Sequence, residues 1–333
     1  MESPKANRLT VIAIDAQRKS SDFGEAVRAG LSATPKTLPC RFFYDEVGSQ
    51  IFEEICELPE YYLTRAEHEI LVARSADVAR RFSDHTILVE LGSGSSSKTR
   101  TVIEAFLRAH GRLRYVPVDI SRSILEESAR ALLADYPGLE IVAIAAEYRQ
   151  GLRRLVNEEV RRKLILWLGS SIGNFTRTEA SGFLETVTAE MSVGDRLLLG
   201  VDLRKSAAVL EKAYADGAGV TARFNKNLLA RINRELGGTF DLSSFDHQAR
   251  YDETLGRVEM HLVSTRNQAV TISALEAQIS FRIGETIHTE SSYKYSFEEV
   301  TALAEAAGLR VEETWLDRRE RFSLNLLAPA WSS

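Results

Sequence analysis

With 333 residues, the chain is long enough for one large domain, or for one domain carrying an insertion. Its 44% hydrophobic and 27% charged residues are ordinary for a globular protein, and a net charge of −5 excludes the electrostatic footprint of a nucleic-acid binder. Two cysteines and six scattered histidines provide neither a disulfide framework nor metal-ligand spacing, so no metal is expected. No apolar run reaches the length of a membrane span, and the opening MESPKANR lacks a signal-peptide core. The expectation is a cytoplasmic, reduced protein, taken as a monomer.

Residues 1–20 carry little pattern. A helix is expected over 21–33, then a loop from Pro35 to Pro39, the aromatic stretch Arg41–Ser49, and a helix over 49–56. Leu58–Arg65 (LPEYYLTR) leads into a further helix, in which Thr64 and Glu67 have capping-box spacing and Ile70, Leu71, Val78 and Phe82 share a face. The chain then reaches Ile87–Lys98, ILVELGSGSSSK, around which the rest is organised. Ile87, Leu88, Val89 and Leu91 form a short buried strand, Gly92-Ser93-Gly94 turns, and Lys98 enters a helix over Thr99–Leu107. A glycine turn between strand and helix lets a ligand approach the backbone at a positive dipole end. The third glycine of a dinucleotide fingerprint is missing, because Ser97 stands there. The acidic Glu90 before the turn suits a cationic ligand carrying an amino acid, which is the chemistry of S-adenosylmethionine.

Strand and helix then alternate. Arg114–Val118 is a strand ending at Asp119, and Ser123 with Glu126 suggests a capped helix to about Asp135. Leu139–Ala145 is a strand ending at Glu147-Tyr148, a helix over 150–162 follows, and Leu164–Leu168 is the next strand. Thr176 and Glu179 cap another helix before the strand Arg196–Val201, which ends at Asp202. This alternation implies a doubly wound parallel α/β sheet that binds ligands at its strand C-termini. Asp119 lies where an acid accepts from ribose hydroxyls, although a turn aspartate would fit the same position.

Beyond Asp202 the alternation stops. Helices over 205–214 and 221–235 lead to antiparallel strands at Gly256–Thr265 and Ala269–Ile279, with Phe281–Thr289 as a further candidate. Ser296 and Glu299 cap a helix to Ala307, followed by strands Arg310–Asp317 and Arg321–Leu327. Residues 203–285 therefore read as an insertion. The expected domains are 20–202 with 286–333, forming the nucleotide fold and its N-terminal helices, and 203–285, an inserted α+β substrate-binding domain.

Seven blocks together resemble the histidine-specific Nα-methyltransferases of ergothioneine biosynthesis. They are FFYDEVGSQIFEEI (42–55), LPEYYLTR (58–65), VELGSGSSSKTR (89–100), WLGSSIGNF (167–175), AYADGAGVTARFNKN (213–227), FDHQARYDETLGRVEMHL (245–262) and HTESSYKY (288–295). The resemblance spans nearly the whole chain, from about Ala26 to Leu327. It implies a Rossmann-like class I methyltransferase fold using S-adenosylmethionine. It matches Tyr44, Gly92, Ser93, Lys98, Asp119, Glu147 and Tyr148 to the donor site, with Asp119 on the ribose and residues 147–148 flanking adenine. Glu147 stands where the family has Asp, which changes reach more than chemistry. For the substrate it implies Tyr61, Gly169, Ser171, Asn174, Tyr214, Met260, Glu290 and Ser292. Asn174 and Tyr214 would take the substrate carboxylate, Glu290 and Ser292 the imidazole with Tyr61 nearby, while Gly169 and Ser171 face the amino group. Ser171 replaces a threonine and keeps the hydroxyl; Leu63 replaces a proline after the tyrosine pair.

Residue chemistry agrees with this resemblance. Glu290 and Ser292 are two apart on an extended segment, so they point the same way and can grip one ring, the carboxylate favouring its protonated form. Each residue alone has a plainer reading: Glu290 and Ser292 as an exposed strand face, Asn174 as a turn residue, Tyr214 as a helix-surface ring, Met260 as core filler. The expected reaction is trimethylation of the α-amino group of L-histidine to histidine betaine, with proton loss to solvent assisted by Tyr44 or Tyr61. Phe52 and the tyrosines would face the growing methylammonium. Three rivals are an Nα-methyltransferase for another amino acid such as tryptophan, a non-catalytic donor-binding module, and a nicotinamide dehydrogenase.

Overall fold

The computed structural model describes residues 8–14, 19–154 and 162–331. The elements begin with β1 (Leu9–Ala13), α1 (Lys19–Ser32), β2 (Lys36–Thr37), α2 (Glu46–Glu57) and α3 (Leu63–Ala79). Alternation follows: β3 (Ile87–Leu91), α4 (Thr99–His110), β4 (Leu113–Asp119), α5 (Arg122–Asp135), β5 (Leu139–Ala145), α6 (Tyr148–Arg153), β6 (Lys163–Trp167), α7 (Arg177–Ala189) and β7 (Arg196–Asp202). Next come α8 (Ala207–Tyr214), α9 (Val220–Leu236), β8 (Phe245–Asp252), β9 (Arg257–Ser264), β10 (Gln268–Ile272), β11 (Ala277–Phe281) and β12 (Thr286–Tyr293). The chain closes with α10 (Phe297–Ala306), β13 (Leu309–Leu316) and β14 (Phe322–Pro329).

These elements fall into two compact units. The described residues of Met1–Ile14, Leu63–Leu203 and Tyr295–Ser333 form the first. Its eight-stranded sheet has the order β1-β5-β4-β3-β6-β7-β14-β13, parallel except for the pairings of β14 with its neighbours. Strands β3 and β6 are buried at every position, the near-continuous apolar run expected of a parallel strand covered on both faces. The chain winds from β3 outward through β4 and β5, then returns to β6 on the other side, so the strand order reverses beside β3. Such a switch point opens a crevice at the strand C-termini, where the glycine turn lies.

Local signals set several helix ends in this unit. Thr176–Glu179 and Ser296–Glu299 both form complete capping boxes, as their spacing predicts. Gly111, with φ of 76°, closes α4 by donating its N–H to Leu107 O at 2.8 Å. Two expected boxes do not form. Glu67 instead turns to Lys98 and the Gly169 amide, and Glu126 pairs with Arg122 and Arg130. Two expected elements also differ. The N-terminal stretch contributes β1, paired in parallel with β5, and the helix expected over 150–162 is present as α6, with 155–161 outside the described residues.

The second unit comprises the described residues of Asp15–Tyr62 and Arg204–Lys294. Its four-stranded sheet runs β2-β12-β9-β8, with a separate β10–β11 hairpin. Burial along β9 alternates strictly, so one face of this sheet packs inward and the other does not. The strand expected over Ala269–Ile279 is two strands, β10 and β11, reversed by the turn Ser273–Leu275 and by Glu276 at a positive φ of 47°. The division differs from the one expected from sequence, which kept the N-terminal helices with the nucleotide fold. Here β2 pairs with β12 in parallel, and Asp45 ahead of α2 receives hydrogen bonds from Asn227 and Arg234 of α9. The unit also extends to Lys294, because β12 runs on to Tyr293. Among the described residues Cys40 and Cys56 form no disulfide. Among the described residues no helix is long and apolar enough to cross a membrane, and no cluster of His, Cys, Asp and Glu could hold a metal.

Candidate functional site

In the first unit, the turn after β3 is shaped by backbone conformations that favour glycine. Gly92 and Gly94 have φ of 75° and 48°. A Cβ on Gly92 would lie 2.5 Å from the Tyr148 hydroxyl, so glycine there leaves room for that phenol. The Tyr148 ring is held by Trp167 and Phe183, at 6.2 and 5.7 Å between centroids. Asp119, at the end of β4, is fixed from both sides: Gly94 N donates to Oδ2 and Ser121 N to Oδ1, each at 2.9 Å. Such bonds fix the orientation of the carboxylate. Glu147 is exposed at the N-terminus of α6, its side chain not used for capping. Ser93 Oγ is buried and, among the described residues, lacks a hydrogen-bond partner.

Glu90 turns away from the role its position suggests. Its carboxylate is fully buried and accepts from Thr99 Oγ1 at 2.5 Å and from the Tyr115 hydroxyl. It ties the strand before the turn to the helix after it, so it braces the loop and does not face a ligand. Burial pushes its pKa up to about 7 against the pull of those two donors.

Lys98 Nζ donates to buried Glu67 at 2.6 Å, and the other oxygen of Glu67 accepts from Gly169 N at 2.7 Å. One carboxylate thus ties the lysine of the glycine turn to the loop after β6. That loop is tight: Gly169 and Ser170 both have positive φ, 72° and 56°. Ser170 Oγ accepts from Asp202 N at 2.9 Å, and Ser171 Oγ donates to Leu168 O at 2.9 Å. Asn174 is half-buried at the end of the short turn Ser171–Asn174. Gly92, Ser93, Lys98, Asp119, Glu147, Tyr148, Gly169, Ser171 and Asn174 therefore all lie at strand C-termini of one sheet or in the turns that follow them. Carboxylate, lysine and glycine turn suit a nucleoside bearing an amino-acid tail.

In the second unit, Tyr44 follows the turn Cys40–Phe43 and meets Phe52 and Phe224 edge-on, at 5.5 and 5.7 Å. Phe52 meets Tyr61 at 6.2 Å, and Tyr61 meets Tyr214 at 6.2 Å. These rings form a continuous aromatic series from the N-terminal segment to α8. Burial pushes the Tyr61 phenol well above its usual range, with Tyr214, Cys56, Tyr44 and Glu290 adding to the shift. A phenol so held keeps its proton at neutral pH and can donate it in a hydrogen bond.

The series ends on a polar cluster. The Tyr214 hydroxyl and Ser292 Oγ lie 2.9 Å apart, and Lys294 Nζ donates to both, at 2.8 and 2.9 Å. Lys294 is completely buried. Glu290 is 8% exposed, opposite Met260 on β9, and burial raises its carboxyl to about 7 with only the Lys294 charge pulling down. Among the described residues its side chain has no hydrogen bond, and a buried carboxyl so placed is a vacant acceptor. Backbone placement of Tyr214 comes from His247, whose Nε2 lies 2.7 Å from Tyr214 O while Nδ1 takes the Asn225 amide at 2.9 Å. Burial holds His247 below its usual pKa, consistent with a neutral ring that donates at Nε2 and accepts at Nδ1.

The structure thus gathers Tyr44, Tyr61, Tyr214, Met260, Glu290 and Ser292 in one unit. Sequence reasoning missed Lys294, Phe224 and Glu67. Lys294 continues the alternation of Glu290 and Ser292 by two residues, a signal that was available. Glu67 carried a signal for a cap, and its bond to Lys98 depends on tertiary placement.

Comparison with known proteins gives a consistent result. The family model described as "Histidine-specific methyltransferase, SAM-dependent" matches residues 23–329. The histidine N-alpha-methyltransferase of Mycolicibacterium smegmatis is 44% identical over 300 residues, covering 90% of this chain and 92% of the relative. That of Mycobacterium tuberculosis is 46% identical over 303 residues, covering 91% and 93%. Ergothioneine biosynthesis protein 1 of Neurospora crassa is 33% identical over 299 residues, covering 88% of this chain and 33% of that protein.

Proposed function

Since this chain belongs to the family of histidine-specific, S-adenosylmethionine-dependent methyltransferases, we propose that it trimethylates the α-amino group of L-histidine to histidine betaine. The observation that carries the substrate is the buried Glu290, a vacant acceptor beside Ser292, Tyr214 and Lys294. Bound S-adenosylmethionine supplies a methyl on a sulfonium, and each transfer forms one N–C bond, breaks one S–C bond and releases S-adenosylhomocysteine.

The chain's own residues divide the remaining tasks. Asp119, oriented by two backbone amides, accepts from the ribose hydroxyls of the donor. Gly92 and Ser93 give the backbone close approach, Glu147 and Tyr148 flank the adenine, and Lys98 and Tyr44 serve the donor's amino-acid tail. Glu290 accepts a ring N–H of histidine, Ser292 meets the other ring nitrogen, and Met260 packs against the ring. Asn174 and Tyr214 take the carboxylate, and Gly169 and Ser171 face the amine. Catalysis rests on alignment of amine and methyl, with Tyr61 as a neutral hydrogen-bond donor. Water takes the proton that the ammonium loses before each transfer, so that a neutral amine attacks the methyl each time. Phe52 with Tyr44 and Tyr61 offers ring faces to the methylammonium as it grows. In this reading the enzyme is a cytosolic monomer that binds neither nucleic acid nor membrane, and it catalyses the first step of ergothioneine biosynthesis.

Incubation of the purified chain with S-adenosylmethionine and each of the twenty amino acids, read by mass spectrometry, tests this. Three added methyls on histidine alone is the expected result. Transfer to another amino acid, tryptophan included, overturns the substrate, and absence of any transfer leaves a donor-binding module.

A further inference from the structure

We propose that Glu67 is a positioning residue for methyl transfer. One buried carboxylate fixes both the lysine that serves the donor's amino-acid tail and the strained turn that presents Gly169 and Ser171 to the amine. The proposal rests on the histidine reading above and goes beyond it in assigning a role to a residue that acts through its neighbours.

Glu67 lies near the start of α3, among the buried apolar residues Leu63, Ala66, Ile70 and Leu71. It is completely buried, and a carboxylate so placed is costly unless its charge and its oxygens are satisfied. Here both oxygens are used. Oε2 accepts from Lys98 Nζ at 2.6 Å, and Oε1 accepts from Gly169 N at 2.7 Å. The two donors are also close to each other, since a Cβ on Gly169 would stand 3.2 Å from Lys98 Nζ. Room for the carboxylate comes from β7, where a Cβ on Gly200 would lie 2.2 Å from Glu67 Oε1. The strand RLLLGVD thus places its one glycine where the acid passes.

The turn after β6 needs such a hold. Ser170 carries a side chain yet has a left-handed φ of 56°, directly after Gly169 at 72°. A residue keeps that conformation where its surroundings over-determine it. Two bonds do so here: Gly169 N donates to Glu67, and Asp202 N donates to Ser170 Oγ at 2.9 Å. The partners of Glu67 also dictate its chemistry. An ammonium and a backbone N–H are both donors, so the group that joins them must accept twice. A glutamine would set its NH₂ against one of them whichever way it turned. The same charges reach Glu90 behind the glycine turn. Besides burial, which raises its pKa, and its two donors, Lys98 pulls that value down and Glu67 pushes it up. A change at Glu67 is therefore felt in the glycine turn as well as in the loop after β6.

Glu67→Gln tests this in the full chain, because it keeps the shape and removes one acceptor. The amine is the reacting end of the substrate, so misplacing the groups that face it should lower kcat, while contacts to the ring and carboxylate keep KM. A displacement of about 1 Å can cost about 10²-fold in rate. The expected result is a kcat lowered about 10- to 100-fold, with KM for histidine within about twofold of wild type. Calorimetry should show affinity for S-adenosylhomocysteine weakened about tenfold, as Lys98 loses its anchor. A merely structural role would lower the melting temperature and the folded fraction while leaving donor affinity and kcat per folded enzyme at wild-type values, and that outcome overturns the proposal. Gly200→Ala displaces the same carboxylate without changing its chemistry. The new methyl meets the free end of the Glu67 side chain, with the Phe322 ring at 3.2 Å, so the carboxylate must move. The same paired fall in kcat and donor affinity is expected. Wild-type values for both in Gly200→Ala overturn the proposal, and this variant decides the question if Glu67→Gln does not fold. Failure of the wild type to methylate histidine would overturn the histidine reading; an active wild type with unaffected variants would overturn only this inference.

Discussion

Glu290 concentrates the chemistry of the second unit in one side chain. Its carboxyl is buried and, among the described residues, has no hydrogen bond to hold it, with the Lys294 charge alone drawing it toward ionisation. Glu290→Gln keeps the shape and one acceptor oxygen but removes the charge. The loss of one charge-assisted bond of about 1.5–3 kcal/mol should lower kcat/KM for histidine by about 10- to 150-fold. Calorimetry with S-adenosylhomocysteine should show unchanged donor affinity in the same variant. A matching fall in donor affinity would mean that the substitution disturbs more than the ring cluster. The pairing of Glu290 with Ser292 was legible from their spacing, since alternate residues of a strand share a face. The irregularity between His288 and Glu290 was not, and it brings Ile287 and Thr289 as well as Glu290 and Ser292 to buried positions. Lys294 continues the same alternation, but a lysine at a strand end reads by default as solvated. Only the structure reveals it as fully buried.

At the scale of elements, the segment carrying Tyr44 depends on one aspartate. Asp45 Oδ1 accepts from Gly48 N at 2.7 Å, capping α2, and from Asn227 Nδ2 at 2.8 Å, while Arg234 bonds Oδ2. A Cβ on Gly48 would stand 1.8 Å from Phe43 O, so the aromatic turn sits directly on the first turn of α2. Asp45→Ala removes the cap and strands Asn227, which should lower the unfolding free energy by about 2 kcal/mol. Urea denaturation measures this directly, and a higher KM for histidine should accompany it as Tyr44 loosens. A variant with wild-type stability would show the cap to be dispensable. The glycine turn makes the complementary case in the first unit. Gly92→Ala meets both a left-handed backbone, costing about 1–3 kcal/mol, and the Tyr148 hydroxyl, and calorimetry should find donor binding lost. Retained donor affinity would exclude this turn from the donor site. Strands such as β3 and β6 were legible because burial on both faces demands unbroken apolar runs. Strand β8, FDHQARYD, has no such run, and its pairing with β9 supplies what its own sequence does not advertise.

At the scale of the whole molecule, the doubly wound sheet was readable because alternating strands and helices leave few arrangements. The membership of each unit was less readable, because a two-residue strand, Lys36–Thr37, and hydrogen bonds onto Asp45 draw the N-terminal segment into the second unit. Local pattern carries no trace of such distant pairings. A global consequence follows from two buried acids, one in each unit. Glu90 and Glu290 are both raised by burial to about 7, above the ordinary range near 4.5. A carboxyl whose folded pKa is raised adds stability below its unfolded pKa, and that contribution is lost as pH rises through the folded value. The window therefore runs from about pH 4.5 to about pH 7, with a cost on the order of 3 kcal/mol per group. His247 and His288, both lowered by burial, work in the opposite direction as pH falls through about 6.5, so the wild-type profile alone is a compound curve. Comparison with Glu90→Gln separates the terms. Glutamine does not titrate, and it retains an acceptor for Thr99 or Tyr115. The melting temperature of the variant relative to wild type should therefore rise by several degrees between about pH 5 and about pH 8. Parallel melting profiles across that range would mean that Glu90 ionises as freely in the folded protein as in the unfolded chain.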